Sequence, residues 1–212
     1  MPVLIYIVTA LAAYLFGSIP TAYLVARAKG IDIRAAGSGN IGATNAMRVL
    51  GKPVGIFVML ADVLKGFSAV LIGNVIWDSI APAMDSENVK IVAGIFAVLG
   101  HNYTCWLKFK GGKGIATTAG VYLALSPAAL GIALAVFILV VLATRYASVA
   151  SITAAVVLPF AVWFTNQNLF LEIVTIALCM LAIFRHKKNI QRLIAGTENR
   201  IGGKTSTTED AK

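Results

Sequence analysis

The chain is short of the residues that carry chemistry in most soluble enzymes. Among 212 residues there are two histidines, two cysteines and nine carboxylates, and charged side chains make up only 13%. Each scarcity excludes something. Cys105 and Cys179 cannot form a disulfide framework, and each defaults to a small buried apolar residue. His101 and His186, with so few carboxylates, supply no metal-ligating cluster, and neither a metal nor a cofactor is expected. The N-terminus lacks a basic segment and a cleavage site, so its apolar run reads as a retained membrane span rather than a secretory signal. No soluble portion is large enough for a nucleic-acid-binding module, and no internal repeat is present. Between Gly114 and Thr144 there is no charged residue at all.

What the chain has is apolar length. It is 58% hydrophobic with a mean hydropathy of +0.84, and runs of spanning length recur. A spanning helix needs ~20 residues. The candidate spans are Val3–Ala26, Val54–Trp77, Val89–Leu107, Gly114–Leu125, Pro127–Ala143, Ala147–Phe164 and Leu169–Phe184. Gly114–Leu125 is short, and could be re-entrant or interfacial. One continuous helix from Gly114 to Thr144 would be roughly 46 Å long against a bilayer core of ~30 Å, so Ser126-Pro127 is the expected break. With a hairpin there, 16 of the 18 basic residues fall on one side, which the positive-inside rule makes cytoplasmic. Asp78, Asp85 and Glu87 fall outside. The expected fold is all-α: a polytopic bundle of about seven transmembrane helices, N-terminus out and C-terminus in. Residues 1–201 form the membrane domain, and 202–212 a polar, disordered cytoplasmic tail. The net charge of +9 points to anionic partners, either membrane lipids or phosphorylated substrates.

The polar motifs gather on that cytoplasmic face. Gly37-Ser38-Gly39-Asn40-Ile41-Gly42 matches a dinucleotide fingerprint only formally, because no strand precedes it. It reads as a glycine-rich turn entering a short helix at about Ala43–Leu50, whose first amides suit an anion. Ser38 and Thr44 add hydroxyls, Asn40 and Asn45 amides, and Arg48 a planar cation. The second motif, Lys110-Gly111-Gly112-Lys113-Gly114, is not a Walker loop, since no Ser or Thr follows Lys113. Its glycines would let amides converge on an oxyanion beside two lysines, with Thr117 one turn into the next helix. The third, His186 through Glu198, sets Asn189 and Arg192 on one helix face. His101 and Cys105 are four apart and would permit a Cys–His acyl-enzyme, but no third orienting residue is evident. The acid–base pattern His-x4-Asp is absent: Trp106 and Gln191 occupy the fifth positions. Asp62 and Lys65 read as an intramembrane ion pair facing the bundle. Read alone, the first loop is also compatible with glycines that merely permit tight turning, and the second with a basic cytoplasmic turn that only sets orientation.

Together, Gly37–Arg48, Ala61–Gly66, Gly100–Thr117 and His186–Glu198 resemble the bacterial acyl-phosphate:glycerol-3-phosphate acyltransferase (PlsY) family over nearly the whole chain. The resemblance implies transfer of a fatty acyl group from acyl phosphate to glycerol-3-phosphate in phospholipid synthesis, at the cytoplasmic face of a bacterial inner membrane. A peripheral enzyme that makes acyl phosphate is a further implied partner. By resemblance, Ser38, Arg48, Lys113 and Asn189 hold glycerol-3-phosphate. Thr44, Lys110, Gly111, Gly112 and Gly114 hold the acyl phosphate. Asn40, Asn45, Thr117, Arg192 and Glu198 shape the site, and His101, His186 and Lys113 are the candidates for a catalytic role. The chain departs from the family at Thr104, where Pro is common three residues after the histidine, and this bears on the local bend of span three. The competing class is a transporter of a phosphorylated solute, which predicts broken helices and polar groups at mid-membrane.

Overall fold

The computed structural model describes residues 2–80, 86–166 and 168–202, and all regular structure among them is helical. The order is α1 (Pro2–Gly17), α2 (Thr21–Ala28), α3 (Ala43–Leu50), α4 (Lys52–Ile80), α5 (Glu87–Asn102), a 3₁₀ turn (Cys105–Leu107), α6 (Ile115–Leu125), α7 (Pro127–Thr144), α8 (Ala147–Thr165), α9 (Leu169–Arg185) and α10 (Lys187–Ile194). Each of the seven expected apolar segments is helical over most of its length. Of the expected tail, 203–212 lie outside the described residues, as does Asp85 of the expected outer loop.

Length separates the helices. Four stretches are long and apolar enough to cross a membrane: Val3–Ala28, Lys52–Ile80, Pro127–Thr144 and Ala147–Thr165. A fifth qualifies if α9 and α10, bent by 52° at His186, count as one. The expected span Val89–Leu107 is instead a 16-residue helix that stops at Asn102 and turns through Tyr103. α6, with 11 residues, is about 16 Å long at 1.5 Å per residue, half of a bilayer core. The chain breaks at Ser126, and Pro127 opens α7 at a first-turn position where its missing N–H costs nothing.

Small residues set the packing. A Cβ on Gly17 would lie 2.2 Å from the Ala97 carbonyl oxygen, and one on Gly100 2.2 Å from that of Tyr14, so α1 and α5 cross backbone to backbone. α4 and α6 do the same through Gly66 and Gly120. In lipid, where apolar burial gives little drive to associate, such close contact supplies the van der Waals attraction that holds helices together. The largest core cluster joins α4 to α9 through residues such as Val70, Val121, Leu158 and Leu178. A second cluster, with Ala26, Ile33, Ala46 and Val58, seats α2 and α3 against α4 and fixes the first glycine-rich loop. Outward-facing side chains such as Leu64, Leu139 and Phe164 are largely exposed, as a lipid-facing surface requires.

Candidate active site

The first loop is built around one side chain. Asn45, 1% exposed, accepts from the Ser38 N–H at 2.8 Å and donates to the carbonyls of Asn40, Ala36 and Ile33 at 2.9, 3.1 and 3.3 Å. Gly37 and Gly39 have φ of +59° and +70°, a region costly for a residue with a Cβ. The turn thereby delivers Ser38 to a cavity wall and points the start of α3 (Gly42, Ala43, Thr44) into the same cavity.

The second loop is built differently. After α5 ends, Thr104 adopts φ −61°, the angle a proline would impose, and its hydroxyl donates to the Ser18 carbonyl at 2.6 Å. The bend expected to suffer from the missing proline is therefore made by a hydrogen bond to the break between α1 and α2. That bend also ends the helix before Cys105, so His101 and Cys105 do not share a helix face, and Cys105 is not among the cavity-lining residues. The Cys–His acyl-enzyme arrangement is not formed.

The amides of Gly111 and Gly112 do not cradle an anion: they donate to the carbonyls of Asn102 and His101 at 3.1 and 3.0 Å. Their own carbonyls accept from Arg185, at 2.8 Å for Gly111 and at 3.1 and 2.7 Å for Gly112. These glycines are small for packing. A Cβ on Gly112 would sit 2.1 Å from His101 Nε2, and one on Gly111 2.1 Å from the His101 carbonyl oxygen. Lys110 is exposed and lies off the cavity. Thr117, fully buried, also lies off it, with a hydroxyl that has no hydrogen-bond partner among the described residues. What the second loop does deliver to the cavity is Lys113 and the start of α6 (Gly114, Ile115, Ala116).

The third element closes the polar end. Asn189 accepts a short hydrogen bond from Lys113 Nζ. Glu198 Oε1 accepts from Asn189 Nδ2 at 2.7 Å and from the Ser148 hydroxyl at 2.8 Å, and Oε2 accepts from Arg192 Nε at 2.7 Å. His186 Nδ1 lies 2.8 Å from the Ala182 carbonyl; a carbonyl only accepts, so Nδ1 carries the proton. In the neutral ring Nε2 then keeps its lone pair. Burial, reinforced by the Lys113 charge, brings the His186 pKa down to about 4. Burial also brings Lys113 down to about 8. Burial alone would raise Glu198, but hydrogen bonds from Arg192, Asn189 and Ser148 hold it below the usual carboxylate range.

These elements line one cavity of about 530 Å³. Its polar end holds Ser38, Asn40, Thr44, Asn45, Arg48, His101, Lys113, Gly114, His186, Asn189, Arg192 and Glu198. Its other end is apolar, with Leu123, Leu134, Phe137, Ala155, Leu158 and Leu178 from α6 to α9. Sequence reasoning missed Ser148, Ser151 and Arg185. The two serines stand three apart at the start of α8, a spacing that places them on one face and could have flagged them. Nothing in the sequence distinguished Arg185 from its basic neighbours.

Comparisons with known proteins agree with this picture. Residues 7–196 match the family described as glycerol-3-phosphate acyltransferase. The chain is 46% identical over 194 residues to a glycerol-3-phosphate acyltransferase of Geotalea daltonii, covering 91% of this chain and 96% of that protein. Two crystal structures of PlsY (YgiH), an integral membrane glycerol 3-phosphate acyltransferase, superpose on it. The glycerol 3-phosphate form gives a TM-score of 0.84 and the lysophosphatidic acid form 0.82. Both are 38% identical and cover 93% of this chain, and 96% and 95% of theirs.

Proposed function

The chain belongs to the glycerol-3-phosphate acyltransferase family, and from that premise we propose that it transfers a fatty acyl group from acyl phosphate to the 1-hydroxyl of glycerol-3-phosphate. The products are 1-acyl-glycerol-3-phosphate and inorganic phosphate. The observation that carries this reading is the single cavity into which two helix N-termini open at a cationic end, and which continues as an apolar groove. Helix N-termini and fixed cations suit phosphates, and the groove suits an acyl chain.

In this reading Ser38, Arg48, Lys113 and Asn189 hold glycerol-3-phosphate. Thr44 and the start of α6 at Gly114 face the phosphate of the donor. Asn45 and Glu198 shape the polar end. Two anionic substrates repel one another, and the site offsets that repulsion with oriented amides and cations before reaction begins. The glycerol oxygen attacks the acyl carbon, the bond from that carbon to the phosphate oxygen breaks, and phosphate departs. The hydroxyl proton passes to a phosphate oxygen of the donor. The donor is already activated, so no acyl-enzyme is formed. His101 and His186 bind and orient; a collapse of turnover in His186→Ala with substrate binding intact would assign the proton to that histidine instead.

The protein sits in a bacterial inner membrane with seven apolar helical segments, its N-terminus outside and its polar cavity end at the cytoplasmic face, where the positive-inside rule places the basic residues. A peripheral enzyme producing acyl phosphate is its natural supplier. The test is purified protein in detergent, supplied with acyl phosphate and glycerol-3-phosphate. Lysophosphatidate and free phosphate are expected in equal amounts, and their absence defeats the reading. Uptake of glycerol-3-phosphate into vesicles without product would favour the transporter.

A further inference from the structure

The reaction just described gives no task to Asp62 and Lys65, the two charges on the buried face of α4, which are 2% and 5% exposed. Burying such a pair costs desolvation that an apolar pair of the same size avoids. Mutual neutralisation explains how the pair is tolerated, but not why it is there. Lys65 Nζ lies 2.8 Å from Asp62 Oδ1 and donates to the Ile19 carbonyl at 3.1 Å, inside the break between α1 and α2. The same Asp62 oxygen lies 3.6 Å from His101 Nδ1. Asp62 and His101 both line the cavity, whereas Lys65 does not.

The opposite edge of the His101 ring is equally constrained. The backbone of Gly112 packs so closely on Nε2 that a methyl group there would come within 2.1 Å. The Gly112 N–H bonds the His101 carbonyl, and the Gly112 carbonyl takes Arg185. The next residue is Lys113, which reaches Asn189. The imidazole is therefore gripped between a carboxylate on α4 and the loop that carries the half-buried Lys113. A carboxylate facing Nδ1 favours the tautomer protonated there and fixes the plane of the ring.

We propose that Asp62 is a positioning residue for acyl transfer: it orients His101, and through His101 it seats Gly112 and Lys113, while Lys65 aims the carboxylate and supplies its counter-charge. The inference rests on the acyltransferase reading. A purely structural pair predicts that neutralising both partners together is harmless. A positioning carboxylate predicts a folded protein with a poor catalytic rate.

Asp62→Asn alone strands a lysine in the interior, so the informative variant is Asp62→Asn/Lys65→Met. Asp62→Glu is a second variant that keeps the charges but shifts the carboxylate by one methylene. Each is purified in detergent beside the parent, and thermal unfolding, kcat and both KM values are measured. The pair variant is expected to unfold within a few degrees of the parent with kcat lowered roughly 10- to 100-fold, the scale of a misplacement on the order of 1 Å. Adding His101→Gln is expected to cost little more. A pair variant or Asp62→Glu variant with parental kcat, or losses that multiply with His101→Gln, overturns the proposal. Nitrogen-15 spectra of the two histidine rings give a readout independent of turnover. His101 is expected to be the Nδ1–H tautomer in the parent and to lose that preference in the pair variant. Retention of the preference overturns the proposal, whereas an inactive parent that shows it overturns the acyltransferase reading.

Discussion

Two glycine-rich loops flank the cavity, and by composition they are alike: small residues, polar neighbours and a cation, each opening a helix. Their construction differs. In the first, Gly37 and Gly39 are required for their positive φ, with Gly37 also packed closely on Asn45, and that one buried side chain satisfies the loop's backbone from inside. In the second, Gly111 and Gly112 are required for their small size, and their amides and carbonyls are spent on α5 and on Arg185. Glycine permits both an unusual dihedral and a close approach. Only the surroundings reveal which is in use. The first loop presents a side chain and a helix start to the ligand; the second is a wedge that places Lys113.

If that contrast is right, Gly112→Ala has the largest effect. The new methyl meets the His101 ring, and overpacking of about 3 kcal/mol with an activity loss on the order of 100-fold is expected. By contrast, Gly39→Ala meets only the Arg34 carbonyl oxygen at 3.0 Å and carries left-handed strain of about 1–2 kcal/mol. Thermal unfolding and turnover of both variants check this, and equal effects would erase the distinction between the loops.

Asn45→Ala comes next. It removes hydrogen bonds from four backbone groups, so a stability loss of about 3 kcal/mol is expected. The KM for glycerol-3-phosphate should rise because Ser38 is released. Arg185→Lys probes the second loop in the same way. Lysine lacks the planar two-nitrogen fork that Arg185 places on these carbonyls, and a roughly tenfold loss in kcat/KM without loss of fold is the expected outcome of steady-state assays.

Lys113 gives a pH signature. Burial brings its pKa down to about 8, so it is cationic below that pH and neutral above. kcat/KM for glycerol-3-phosphate should therefore fall as pH rises through about 8. Lys113→Arg stays charged and should lose that alkaline limb. A limb persisting in the arginine variant assigns the titration elsewhere.

The smallest effect is expected for Thr104→Pro. The backbone already has φ −61°, and the lost bond to Ser18 is offset by a stiffer unfolded chain. A change within about 1 kcal/mol is expected in thermal unfolding.

Legibility in the sequence followed the range of the interaction. Local rules placed the seven apolar segments, the break at Ser126-Pro127 and the helix opening near Ala43, because hydropathy, proline and glycine act over a few residues. Combined with the family resemblance they named Ser38, Arg48, Lys113, His186 and Asn189, all of which line one cavity. They failed at Lys110, Gly111, Gly112 and Thr117, where the answer depended on whether a backbone group faced a ligand or a neighbouring helix. They failed again at Cys105, where a bend stabilised by Ser18, distant in sequence, ended the helix early.

The sequence by itself therefore determined an all-helical membrane protein with basic, glycine-rich motifs and its family, since apolar length, charge asymmetry and motif order are properties of the linear chain. Only the tertiary structure decided which glycines shape and which pack. It also decided that Arg185 spends its charge on carbonyls, and that Asp62 on α4 faces His101 on α5. Those outcomes depend on which hydrogen-bonding groups remain unpaired once helices distant in sequence meet, and no spacing along the chain encodes that meeting directly.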